Sequence, residues 1–509
     1  MEPTSRVPLH GHMDKSTPAG PTPPDQPRIA VIGSGFAGLG AAIALQRAGF
    51  EDVTILERAD EVGGVWRDND YPGAACDVQS YLYSYSFAPR TRWSRMFSPQ
   101  AEILDYLREV VEDFGLAPRV RLGCAVEDVT WDDGRWVVTT IEGVLEADHV
   151  VVATGALADP ALPDLPGLED FGGAVFHSSR WDHDVDLTGK RVAVVGTGAS
   201  AIQFVPAIQP DVAELTLFQR TPPWVMPRHD RAIRGIEKTA LRVLPPLHAV
   251  RRARIWAQRE LTVLGFRHPA LMKGAERTAR KHLADQVSDP GLREKLTPAY
   301  RLGCKRILIS NDYLRALDQP NADVVTSGIR QVTATGVTDG DGVHHEVDAI
   351  IFGTGFKTNG LPLTDRIHGP RGRTMAQAWG RSPRAYLGTT VSGFPNVYLM
   401  HGPNIGLGHT SVITMFEAQA RYVVDAVRHS VARGAPVEPT PEAQRAFVDL
   451  VDDLTDGTVW TSGGCSSWYL DPTGRNSNLW PGATIDYHRR TLRFRPEDHH
   501  TTSPQEARP

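Results

Sequence analysis

Two glycine-rich turns, each set between an apolar strand-like run and a helical one, constrain this chain more than any other feature. The first is Gly33-Ser34-Gly35-Phe36-Ala37-Gly38, after Ile29-Ala30-Val31-Ile32. The second is Gly196-Thr197-Gly198-Ala199-Ser200-Ala201, after Arg191-Val192-Ala193-Val194-Val195. Such a turn brings backbone N–H groups and the positive end of a helix onto a pyrophosphate. A lone turn of this kind is weak, but two with correct flanks imply two dinucleotides, one delivering hydride to the other.

The next strand of each unit distinguishes the two dinucleotides. Val53-Thr54-Ile55-Leu56 ends on Glu57, an acid placed to accept hydrogen bonds from ribose hydroxyls. Leu215-Thr216-Leu217-Phe218 runs into Gln219-Arg220-Thr221, where the acid is missing and Arg220 stands where a 2′-phosphate would lie. A carboxylate there would repel that phosphate, whereas a guanidinium pairs with it. The first unit therefore reads as an FAD site and the second as an NADPH site.

The expected fold class is α/β: two Rossmann-like dinucleotide-binding domains, the second inserted in the first, with a helical insertion. Val150–Thr154 and Ala349–Thr354 are apolar strands ending at Gly155 and Gly355, and they mark the crossings between domains. The expected FAD domain is discontinuous, 28–160 and 347–495. The NADPH domain spans 161–346, with the helical insertion at about 230–295. Val397-Tyr398-Leu399-Met400 reads as a strand returning to the flavin, followed by a helix from near Ser411, whose N-terminus suits negative charge. Residues 1–27, with seven prolines, read as a disordered leader, and 496–509 as a flexible tail. The Arg-rich stretch around Arg251-Arg252-Ala253-Arg254 reads as helices with solvated basic faces, in preference to a membrane-surface contact.

A net charge of −6 gives no reason to expect a nucleic-acid partner. No apolar stretch is long enough to span a membrane, and the N-terminus has no apolar signal core, as expected of a cytoplasmic enzyme. Cys76, Cys124, Cys304 and Cys465 have neither CxxC nor zinc-site spacing, so no metal is expected and all four read as reduced thiols.

Two longer patterns carry a resemblance. Gly63-Gly64-Val65-Trp66, Tyr71-Pro72-Gly73 and Asp77 match the fingerprint [AG]-G-x-W-x4-[FY]-P-[GM]-x3-D. Phe171, Gly173, His177, Trp181 and Asp182 match F-x-G-x3-H-x3-W-[PD]. With both in order relative to the glycine turns, the chain resembles the type I Baeyer–Villiger monooxygenases, class B flavoproteins, over roughly residues 28–490. The resemblance implies that NADPH reduces FAD, and that the reduced flavin takes up O2 as a C4a-peroxyflavin. The peroxide then attacks a ketone substrate to give an ester or lactone.

The same resemblance assigns residues. Arg306, in Cys304-Lys305-Arg306, is the implied catalytic cation, oriented by Asp77, while Lys305 joins Arg220 at the 2′-phosphate. Arginine suits this task because it stabilises an anion without losing its proton. The implied flavin contacts are the first turn, including Gly33, Gly35, Phe36 and Gly38, with Glu57, Val65, Trp66, Arg67, Asp77, Tyr83, Val126 and Val412. Those implied around the nicotinamide dinucleotide are Gly196, Thr197, Gly198, Ala199, Ser200, Gln203, Arg220, Thr221 and Lys305, and Arg306 is counted among the cofactor contacts beside the flavin. His177 is carried over as a domain-linker residue, not a base. Trp468, Tyr469 and Trp480 are candidates for the pocket wall, with core packing as the alternative.

A flavin monooxygenase acting on nitrogen or sulfur shares both turns but has no need of Arg306. A disulfide reductase requires a paired-cysteine motif, which is absent. A silent redox-sensing flavoprotein has no need to keep Asp77, Arg220 and Arg306 together.

Overall fold

The structure, a computed structural model, describes residues 26–358 and 360–501. Most of the expected leader and the last eight residues lie outside the described residues.

Each glycine turn leaves a central strand of its own parallel five-stranded sheet. In the first sheet the order is Val397–Leu399, His149–Val152, Ile29–Ile32, Val53–Leu56, Val120–Arg121. In the second it is Ala322–Val325, Glu214–Phe218, Arg191–Val195, Ala349–Phe352, Ala174–His177. All four residues of Ile29–Ile32 are buried, as a parallel strand covered on both faces requires. The helix Phe36–Arg47 is apolar almost all round because it lies between the first sheet and the helix Val412–Arg433. Ser411 caps that second helix, its hydroxyl accepting from the Ile413 N–H.

One boundary differs from expectation. Ala349–Phe352 does not return to the first sheet: it pairs with Val192–Val195 and Ala174–His177, so the second unit ends after Phe352. A four-residue apolar run looks the same whichever parallel sheet receives it. The two connections between the units then run side by side. Ala161 N–H donates to Gly355 O at 2.9 Å, Lys357 N–H to Asp159 O at 2.9 Å, and Thr354 Oγ1 to Ala161 O at 2.6 Å. His177 sits here, its ring edge-on to Phe356 at 5.7 Å and its Nδ1 accepting from Ser179 N–H at 3.1 Å.

The tail also differs. His499–Thr501 pairs antiparallel with Val437–Pro439, and His499 Nε2 meets Tyr422 Oη at 2.7 Å. Tyrosines projecting from the core hold this polar segment, and its own composition carries no sign of them.

The helical insertion is present as Gly235–Val243, Pro245–Glu260, Thr262–Arg267, Lys273–Gln286 and Pro290–Lys295. Its arginines are not uniformly solvated. Arg252 donates to the carbonyls of Tyr81, Leu82 and Ser84 at 3.2, 3.1 and 2.8 Å. Arg259 donates to Gln79 Oε1 at 2.9 Å and Asp77 O at 3.2 Å. His248, Arg252, Ile255 and Arg259 share one helical face, and that face grips the 77–84 segment.

The cysteines depart furthest from expectation. Cys304 and Cys465 form a disulfide, Cα atoms 6.1 Å apart, while Cys76 and Cys124 remain free and buried. A separation of 161 residues hides such a pair from any spacing rule.

The Tyr71-Pro72-Gly73 fingerprint lies where the two units meet. Gly73 has φ +80°, and a Cβ there would come 2.6 Å from Gln203 O on the helix Ala201–Ile208 of the second unit. The Gln203 side chain answers, accepting from Tyr71 Oη–H at 3.0 Å and donating to Ala75 O at 2.9 Å. Gly73→Ala is expected to destabilise the protein by about 1–3 kcal/mol, from backbone strain and the pushed-back helix. Thermal melting of the two proteins side by side measures it.

Alkylation of the denatured chain is expected to label two cysteines before reduction and four after it. Reduction should also remove about 2–4 kcal/mol of stability, read as a lower melting temperature. Four labelled cysteines without reductant would refute the pairing.

Candidate active site

The first turn owes its shape to a steric limit. Gly33 has φ +105°, and a Cβ there would lie 2.5 Å from Ala153 O, so the backbone at the end of Ile29–Ile32 stays bare. Gly38 closes the same turn, its Cα facing Gly33 O. Gly35 faces Gly64 of the first fingerprint across a Cβ-to-Cα distance of 3.6 Å. The second turn repeats the device: Gly196 also has φ +105°, and a Cβ there would sit 2.5 Å from Gly353 O.

A cavity of about 580 Å³ starts at the first turn and reaches the second unit. Of the residues singled out from sequence, Gly33, Gly35, Phe36, Glu57, Val65, Trp66 and Arg67 line it. So do Asp77, Tyr83, Val126, Ala199, Ser200, Gln203, Arg306 and Val412. Gly196, Thr197, Gly198, Arg220, Thr221 and Lys305 lie outside this wall, around the second turn. There Thr197 Oγ1 donates to Thr221 O at 3.0 Å.

Glu57 is nearly fully buried and well supplied with donors. Its Oε2 accepts from Ser34 N–H at 3.0 Å and Ser34 Oγ–H at 2.7 Å. Its Oε1 accepts from Ala59 N–H and from Arg67, both at 3.1 Å. All four acceptor positions of the carboxylate are therefore used, and only the Ser34 hydroxyl can rotate away. Trp66 donates its indole N–H to Tyr83 Oη at 3.0 Å, which fixes both rings on the cavity wall.

Asp77 and Arg306 form the central pair. Arg306 donates Nε–H to Asp77 Oδ2 and Nη2–H to Asp77 Oδ1, each at 2.8 Å, the forked geometry that suits guanidinium and carboxylate. About 39% of the Arg306 side chain is open, and that surface faces the cavity. Burial pushes the Asp77 carboxyl up, but the Arg306 charge and hydrogen bonds, helped by Arg259, outweigh it and hold the group below its ordinary value. Reciprocally, Asp77 raises Arg306 against the effect of burial.

Lys305 turns the other way. Burial lowers its ammonium, and the nearby charge of Arg220 lowers it further. Its Nζ lies 5.2 Å from the centre of the Tyr300 ring. Neither Lys305 nor Arg220 makes an ion pair among the described residues.

The three C-terminal aromatics separate. Trp468 lines the cavity. Tyr469 is buried close enough to Arg306 for the two to perturb each other's ionisation. Trp480 is core: 1% exposed, it stacks on Phe447 and donates to Ala483 O at 3.0 Å. Arg259 and His401 were not anticipated. The signal for Arg259 is its helical spacing, four residues after Ile255 and seven after Arg252. His401 lines the cavity with its ring pushed down to about 4 by burial, and nothing in its local sequence marks it.

Both dinucleotides fit these residues. The first turn and the cavity offer bare backbone and a buried acid at one end, with a fixed cation at the other. The second turn ends beside two unneutralised cations. The disulfide does not line the cavity, and so gives no support to a disulfide reductase.

A family model described as pyridine nucleotide-disulphide oxidoreductase matches residues 30–244. A Baeyer-Villiger monooxygenase of Streptomyces coelicolor is 51% identical over 471 residues, 92% of this chain and 91% of that protein. A cyclohexanone monooxygenase from Rhodococcus sp. Phi1, solved bound to NADP+, is 30% identical with a TM-score of 0.83, covering 94% of this chain and 99% of that one. OTEMO, solved in complex with FAD and NADP, is 26% identical with a TM-score of 0.84, covering 94% and 100%. At 51% identity over 92% of its length to a Baeyer-Villiger monooxygenase, and with the fold of these solved relatives, the chain belongs to the Baeyer–Villiger monooxygenases, NADPH-dependent flavoproteins.

Proposed function

We propose that this chain uses FAD and NADPH to insert one oxygen atom of O2 beside a ketone carbonyl, giving an ester or lactone. The observation that carries this reading is the forked Asp77–Arg306 pair with its cationic face open to the cavity. When bound, NADPH supplies hydride and the reduced flavin activates O2. Every other task falls to the chain.

Arg306 remains charged at any working pH and stabilises negative oxygen as it develops at the carbonyl. Asp77 holds the guanidinium plane fixed, so no reorganisation is needed when that charge appears. Glu57 exchanges the Ser34 hydroxyl for a ribose hydroxyl while keeping the Ser34 and Ala59 N–H groups and Arg67. Trp66 and Tyr83 wall the cavity and exclude water. Arg220 and Lys305 hold the 2′-phosphate, which removes their mutual repulsion. No helix among the described residues is long and apolar enough to cross a membrane.

Arg220→Ala should raise the KM for NADPH by about 10- to 150-fold, the loss of one charge-assisted contact of about 1.5–3 kcal/mol. The KM for NADH should hardly change. Steady-state kinetics with both cofactors checks this, and an equal effect on both would remove Arg220 from the 2′-phosphate.

Arg306→Ala should retain FAD and still oxidise NADPH, yet form little ester from a ketone panel followed by mass spectrometry. Asp77→Ala should fail in the same direction. Because the two act as one unit, the double variant should be little worse than the poorer single one. Losses that simply add would mean that Asp77 acts independently of Arg306.

A further inference from the structure

One surface of the helical insertion has no task in the chemistry above. The helix Pro245–Glu260 continues through Leu261, itself in helical conformation, into Thr262–Arg267. Its inner face is committed: His248 and Ile255 are buried, and Arg252 and Arg259 hold the 77–84 segment. At 100° per residue, Leu247, Val250, Leu261 and Leu264 fall within one arc of about 100° on the opposite side. They are 43, 64, 66 and 49% exposed.

The exposed apolar residues are concentrated, not scattered. Among the described residues, eight of the seventeen exposed large hydrophobic side chains fall between Ile236 and Leu271. Scattered surface leucines need no explanation, but two apolar pairs, Leu247 with Val250 and Leu261 with Leu264, recurring along one side of a helix do. Residues 235–271 carry seven Lys or Arg against two Glu in a chain of net charge −6; Arg252 and Arg259 turn inward and Arg251 pairs with Glu237, which leaves the exposed arginines for the outside. Arg242, Arg254 and Arg267 are exposed there, and none makes an ion pair among the described residues. Arg254 lies inside the apolar arc itself.

We propose that this outer face, from Leu247 to Leu264, is a docking surface for anionic phospholipid. Leucine and valine enter the boundary between headgroups and acyl chains, and the arginines meet lipid phosphates, as in helices that lie in an interface. A second copy of the chain fits the same face poorly, because a symmetric pairing sets these unneutralised arginines against each other. The same helix touches Asp77 through Arg259, so docking brings the cavity to within about one helix diameter, 10–12 Å, of the lipid. An apolar ketone is concentrated in that phase.

The test is co-sedimentation of the FAD-loaded enzyme with phosphatidylcholine vesicles, with and without phosphatidylglycerol, alongside the double variant Val250→Glu, Leu264→Glu. The wild type should sediment with the phosphatidylglycerol vesicles and be released as salt is raised, since the charge contribution is screened. The variant should bind them at least about tenfold more weakly. Its flavin content and its turnover of a water-soluble ketone should match the wild type, because neither side chain packs inward. Wild type left in the supernatant with phosphatidylglycerol vesicles, or undiminished binding by the variant, overturns the proposal. So does a wild-type dimer in light scattering that the variant splits, which would assign the face to a second copy.

Discussion

The ion pair between Asp77 and Arg306 is the contact on which the rest of the site depends, because its partners come from different units. Asp77 belongs to the fingerprint segment of the first unit and Arg306 to the segment before Leu308–Ile309 of the second. Breaking such a pair costs more than the pair contributes, since it leaves a charge in a place built for two. Only one docking of the units avoids that penalty, and Gly73 against Gln203 permits the same docking sterically. Arg259 adds a third element from the helical insertion by donating to the Asp77 carbonyl. The cavity thus has its shape because three parts of the chain converge on one carboxylate residue.

Local features of the sequence translate well into structure. The glycine turns are legible because a bare backbone beside a helix start has few other solutions, and both recur here at φ +105°. The positions of Glu57 and Arg220, one and two residues beyond their strands, follow from the register of those strands beside the glycine turns. What fails is whatever depends on a distant partner. Ala349–Phe352 joins the second sheet between Arg191–Val195 and Ala174–His177, a choice of partners that its own four apolar residues do not reveal. Cys304 meets Cys465 across 161 residues. Arg252 and Arg259 resemble solvated helix arginines until the 77–84 carbonyls are placed beneath them. Trp480 and Trp468 share a segment, yet one is core and the other lines the cavity.

The segment Cys304-Lys305-Arg306 joins these scales. Three consecutive residues point to three places: Cys304 is bonded to the segment that leads into Trp468 and Tyr469, Lys305 faces Arg220 and Tyr300, and Arg306 faces Asp77. Each contact restrains the backbone for the other two. In the proposed reaction this matters because Lys305 and Arg220 repel each other until an anion lies between them. A 2′-phosphate bound there draws Lys305 inward on one side of the segment while Asp77 holds Arg306 on the other. The disulfide anchors the residue that precedes both side chains. On that proposal, a nicotinamide cofactor lacking the phosphate would leave the repulsion in place one residue from Arg306. Under the proposed roles, discrimination between the two cofactors and positioning of Arg306 would be coupled through this short stretch of chain.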